Sequence, residues 1–140
     1  MPKVTASREL LASREDVWGF LAEPRNFADW WPGVAAVRPD RRGLAPGARW
    51  EIVGTQTPSL FRRPASSGTL LVRDVYPLER WTWYLTGEHI DAELSLATRG
   101  PDRTVATLTL DGWALFGLGR SMPRRALGRL HALCQTAAEL

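Results

Sequence analysis

Cysteine is nearly absent from this 140-residue chain: Cys134 is the only one. A single thiol excludes an internal disulfide framework and any multi-cysteine metal site. Histidine is scarce too, with only His89 and His131. Their spacing has no i, i+4 partner, so zinc is not expected. No apolar run approaches the roughly 18 residues that a membrane span requires. The N-terminus, MPKVTASREL, has no apolar signal-peptide core. The reading is therefore of a cytoplasmic protein. Gly-x-Ser-x-Gly, His-Glu-x-x-His and P-loop patterns are all missing, which removes support for a serine hydrolase, a zincin or an NTPase. Gly117-Leu118-Gly119 lacks the third glycine of a nucleotide fingerprint, since residue 122 is Met, and reads instead as a hinge. No cofactor is expected.

Lysine is nearly missing as well. Lys3 is the single lysine among 18 basic residues, against 15 acidic ones, for a net charge of +3. The arginines fall in scattered pairs, Arg41-Arg42, Arg62-Arg63 and Arg124-Arg125, with no basic stripe. A nucleic-acid footprint should cluster, so no nucleic-acid partner is expected.

What remains is ordinary globular composition, with 44% apolar and 24% charged residues. A chain of this length can bury about two-thirds of its surface and fold as one domain, here residues 1–140. The pattern opens with a strand over Val4–Leu11. Ser13 follows, with Glu15 and Asp16 in the next turn, which is close to a capping box. Val17, Trp18 and Leu21 have helical spacing until Pro24. Asn26 is placed to cap a second short helix ending at Trp30 or Trp31, stopped by Pro32-Gly33. Strands are then expected at Val34–Arg38, Ala48–Gly54, Thr69–Tyr76, Arg80–Thr86, Ile90–Thr98 and Thr104–Trp113. The last two alternate cleanly, as half-buried antiparallel strands do. A closing helix begins near Ser121, with Pro123 in its first turn. Leu127, Leu130, Cys134 and Ala137 form its apolar stripe, and Arg125, Arg129 and Thr136 lie opposite. The fold class is α+β: a curved antiparallel sheet of about seven strands, two short helices after the first strand, and a long C-terminal helix on the inner face.

The seven tryptophans are the main surplus. Alternation puts Trp81, Trp83 and Leu85 on one face of their strand, and Trp50 and Ile52 on the same face of theirs. Arg49 and Glu51 should face out. Trp18, Trp30 and Trp31 are read as packing the short helices. Arg73 and Asp74 are adjacent, so one of them should point inward unless a bulge intervenes. An inward Arg or Asp would be costly unless paired.

Five segments stand out: ASREDVW (Ala12–Trp18), FADWWPGV (Phe27–Val34), APGARW (Ala45–Trp50), VYPLERWTW (Val75–Trp83) and LGRLHALCQTAAEL (Leu127–Leu140). Together they resemble the polyketide cyclase/dehydrase family of the START-related helix-grip superfamily (SRPBCC). They run in the family's order over nearly the whole chain. The resemblance implies a cavity between the closing helix and the sheet that takes sterols, lipids, phenolics or polyketides. The expected function is binding of such a hydrophobic small molecule. An aromatase/cyclase or dehydratase is the alternative, and a co-chaperone-like interaction module is a second. No catalytic residue is shared across the superfamily, so the fold alone fixes no reaction.

On this reading the ligand walls are Trp50, Ile52, Val72, Trp81, Trp83, Leu94, Leu96, Leu108 and Leu110. Leu127, Leu130, His131 and Cys134 of the closing helix complete them. Aromatic walls supply contact area with few rotors, and their indole N–H groups then need a partner, which the ligand can supply. His131, at the edge of the stripe, and the pair Arg73 and Asp74 are the candidates for fixing a polar end or for acid–base work. Cys134 reads as a buried small hydrophobe. Leu60 and Phe61, in the 55–66 loop, are the candidate gate. Arg62-Arg63 beside Phe61 gives no stable membrane anchoring, because two charges contribute little.

Overall fold

The computed structural model describes residues 3–54, 68–112 and 120–139. Seven antiparallel strands form one curved sheet: β1 (Lys3–Leu10), β2 (Val34–Pro39), β3 (Arg49–Gly54), β4 (Gly68–Tyr76), β5 (Arg80–Leu85), β6 (Ile90–Thr98) and β7 (Thr104–Asp111). Their spatial order is β1-β7-β6-β5-β4-β3-β2, so every neighbour except β1–β7 is a hairpin partner or sequential meander. Helix α1 (Arg14–Ala22) and the four-residue α2 (Phe27–Trp30) connect β1 to β2, and α3 (Met122–Glu139) closes the chain. This is the helix-grip arrangement expected from the sequence.

Local chemistry explains the boundaries. The Ser13 side chain accepts from the Asp16 N–H at 3.1 Å and caps α1. Pro24 ends α1 and opens a single 3-10 turn, Pro24–Asn26. Asn26 does not cap α2, contrary to the sequence reading. It adopts helical dihedrals itself, and its amide donates to the Phe20 carbonyl at 2.9 Å. The cap in this stretch is Glu23, whose carboxylate accepts from the Arg25 N–H. Gly33, at φ 83°, supplies the left-handed turn into β2 that a side chain would resist. The turn from β2 to β3 is held by Asp40, which accepts from the N–H of Arg42 at 3.0 Å and of Arg49 at 2.9 Å. The last strand ends at Asp111, and Trp113 lies outside the described residues.

Alternation along β6 and β7 is strict. Ile90, Ala92, Leu94 and Leu96 are buried, as are Thr104, Ala106, Leu108 and Leu110. Thr104 is the exception in chemistry: its buried hydroxyl donates to the Ala12 carbonyl at 2.8 Å and ties β7 to the start of α1. The closing helix is buried unevenly. Ala126, Leu127 and Leu130 are fully covered, whereas Leu133 and Cys134 are half-exposed and Ala137 is exposed. Its first turns seal the inner face of the sheet, and its last turns stand partly clear of it. No described helix is long and apolar enough to cross a membrane.

Candidate functional site

Two features of the inner face stand out. The first is an aromatic cluster. Trp81 and Trp83 are two residues apart on β5 and so share a face. Their rings stack with centroids 4.0 Å apart and planes 27° apart. Trp50 of β3 lies against Trp81 at 5.4 Å. The other half comes from α2 and Trp31, the residue that follows it. Phe27, Trp30 and Trp31 are spaced i, i+3, i+4 and project to one side. Phe27 sits at the centre, stacked on Trp31 at 5.2 Å and edge-on to Trp30, Trp50, Trp81 and Trp83 at 5.4 to 6.2 Å. Trp31 also meets Trp83, at 5.7 Å.

The indole nitrogens of this cluster are not equivalent. Trp50 Nε1 donates to the Gly43 carbonyl at 2.9 Å. The N–H groups of Trp31, Trp81 and Trp83 are buried and have no acceptor among the described residues. These three side chains are 0%, 1% and 0% exposed. Buried donors in native proteins are almost always paired, so three orphans in one contact cluster are unusual.

The second feature is a groove of about 650 Å³ between α1 and the outer turns of α3. Leu11, Val17, Phe20, Leu130, Leu133 and Cys134 give it an apolar lining, and Asp16, Asp102 and Arg103 stand among its polar groups. Val17 and Leu130 belong to the same continuous core as the tryptophans, so the groove abuts that core. Burial in this wall pushes the Cys134 thiol pKa up.

The family follows from comparison with known proteins. The family model described as "Polyketide cyclase / dehydrase and lipid transport" matches residues 1–135. This chain belongs to the polyketide cyclase/dehydrase family. Solved structures agree on the fold. XoxI from Bacillus cereus superposes with a TM-score of 0.74 at 10% identity, over 99% of both chains. A START superfamily protein from Mycobacterium smegmatis gives 0.68 at 16% identity, covering 96% of this chain and 98% of that one. The Aha1 dimer from Colwellia psychrerythraea gives 0.66 at 14% identity, covering 97% and 96%. No curated protein sequence matches.

Within this polyketide cyclase-like fold, the expected wall residues Trp50, Ile52, Val72, Trp81, Trp83, Leu94, Leu96, Leu108, Leu110, Leu127 and Leu130 are all buried. Leu130 and Cys134 reach the α1–α3 groove. Cys134 is half-exposed there rather than buried, because the helix end stands off the sheet. His131 is half-buried and does not line the groove. Trp30 and Trp31 do more than pack the short helices: they join Phe27 inside the cluster. Their helical spacing within FADWW was the available signal. The α1 side of the groove, Val17 and Phe20, had no such signal, since nothing in the sequence says what α1 faces.

Arg73 and Asp74 do not bring a charge to the inner face. The β4 register shifts between Val72 and Val75, and this bulge turns both side chains outward. Arg73 pairs with Asp91 at 3.0 Å and covers the Tyr84 ring. Asp74 accepts from the Thr82 hydroxyl at 3.3 Å. Tyr84 and His89 share a 3.0 Å hydrogen bond on the same outer face. Leu60, Phe61 and Gly117-Leu118-Gly119 lie outside the described residues.

Proposed function

We propose that this protein binds an apolar small molecule, polyketide- or phenolic-like, in the core between the sheet and α3. The three orphaned indole N–H groups carry this reading. Leaving a buried donor unpaired costs about 1–3 kcal/mol. Three such donors amount to roughly 3–9 kcal/mol, a large part of the 5–15 kcal/mol by which domains are stable. A ligand with acceptor atoms offsets that cost when it binds. An apolar aromatic wall with a few polar groups is the usual composition of a small-molecule site. The α1–α3 groove, with Leu130 in its lining, supplies an apolar approach of suitable size.

The described core offers little to an enzyme. Apart from the tryptophans, Thr104 is its buried polar side chain, and its hydroxyl is engaged with Ala12. General acid–base catalysis needs a positioned titratable group, and none of the described fully buried residues supplies one. Binding is therefore the better-supported reading, and catalysis has no specific observation in its favour.

The test is native mass spectrometry of the protein purified from its own host, followed by denaturing extraction. A stoichiometric apolar passenger is expected, and its chemistry identifies the ligand class. A clean apo mass, with no thermal stabilisation by a panel of lipids and aromatics, would refute the reading.

A further inference from the structure

Phe27 has an unusual position in the aromatic cluster. Its ring lies 5.2 Å from Trp31, 6.2 Å from Trp81 and 6.1 Å from Trp83, the three rings whose N–H groups lack acceptors among the described residues. The phenyl ring offers those donors no lone pair. It is held by α2, four residues long, which is too short to be maintained by its own hydrogen bonds. A 3-10 turn precedes α2, and Gly33, at φ 83°, lies shortly beyond it. An apolar ring thus packs against all three of the rings that carry these unpaired donors.

We propose that Phe27 holds the place of a ligand ring, and that the ligand displacing it is a flat, apolar molecule whose carbonyl or phenolate oxygens accept from Trp31, Trp81 and Trp83. This inference rests on the ligand-binding reading above. Indole is a donor only, so the complementary group must be an acceptor. A hydroxyl acting only as a donor, or a hydrocarbon, leaves the orphans as they are. The ring faces of Trp50, Trp81 and Trp83 suit a planar partner, because aromatic pairs prefer stacked or edge-on contact. A flexible alkyl chain would gain no such contact and would lose more rotamer entropy on binding.

Fluorene and 9-fluorenone test this directly, since they share a tricyclic shape and differ by one carbonyl. Fluorenone is expected to bind more tightly, by about 2- to 12-fold for each net hydrogen bond it gains. Its carbonyl infrared stretch should move to lower frequency on binding. That shift should vanish in at least one of Trp31→Phe, Trp81→Phe and Trp83→Phe, which keep an aromatic ring but remove the N–H. A merely structural tryptophan would not move it. Phe27→Ala should tighten binding of both probes by opening the central position, and Phe27→Leu serves the same purpose if the alanine variant does not fold. Equal binding of the two probes, with no carbonyl shift, overturns the donor assignment while leaving the binding function standing. Weaker binding in both Phe27 variants overturns the displacement. If neither probe binds to wild type or variants, the inference fails, and the host-passenger experiment decides separately whether the function fails with it.

Discussion

Replacing an indole N–H by sulfur, one ring at a time, isolates the hydrogen bond from the packing. Benzothienylalanine keeps the bicyclic shape of tryptophan and lacks the donor. At Trp50 the substitution breaks the 2.9 Å bond to the Gly43 carbonyl. The cost should be about 0.5–1.5 kcal/mol, the net worth of one hydrogen bond. At Trp83, equally buried, no described bond is broken, because the N–H has no acceptor among the described residues. Removing an orphan donor relieves its desolvation cost, so stability should stay level or rise by up to about 1–3 kcal/mol. The two variants should therefore differ by at least about 0.5 kcal/mol, with the Trp50 variant the less stable. For a chain of 140 residues, an unfolding entropy of about 2.1 cal/mol/K per residue converts each kcal/mol to about 3–4 °C. Urea titration gives the free energies, and differential scanning calorimetry checks the midpoints. Equal losses at both sites would refute the reasoning, since they would mean that the Trp83 donor is satisfied in the unliganded protein.

Other expectations follow from particular contacts. Backbone hydrogen bonds from Arg49 and Arg42, with their nearby positive charges, hold the Asp40 carboxyl below the usual aspartate range. Its stabilising contribution is then present above the unfolded pKa of about 3.9 and is lost as pH falls through the lower folded value. The melting difference between wild type and Asp40→Asn should be steady from pH 6 to 8 and shrink below about pH 4. Burial raises the Cys134 thiol pKa, so maleimide labelling at pH 7 should be slower than for a free thiol, and slower again when an apolar ligand fills the groove. A Cβ at Gly112 would meet the His89 carbonyl at 2.6 Å, so Gly112→Ala should lower the melting midpoint, whereas Gly19→Ala, where a Cβ meets nothing within 4 Å, should not. Arg73→Ala should leave ligand affinity unchanged, because Arg73 engages Asp91 and Tyr84 on the outer face.

The sequence by itself determined the order of elements, since each boundary has a local cause. Ser13 caps a helix wherever the chain lies, Pro24 ends it, and Pro32-Gly33 turns the chain. Alternation over Ile90–Thr98 and Thr104–Asp111 fixes which side chains face the core, because a strand's period is two. That periodicity also named Trp50, Trp81 and Trp83 as one wall. It stopped at Arg73 and Asp74, where a bulge adds a residue and breaks the parity that the argument uses. The tertiary structure alone decided three things. It brought α2 under the sheet, so that Phe27, Trp30 and Trp31 meet the strand tryptophans; a helical stripe shows a shared face but not what that face touches. It let the end of α3 stand off the sheet beside α1, so that one continuous apolar stripe splits into a buried half and a groove wall. And it gave Trp50 an acceptor while leaving Trp31, Trp81 and Trp83 without one among the described residues. Hydrogen-bond satisfaction depends on a partner within about 3 Å, often distant in sequence, and no spacing rule along the chain encodes it.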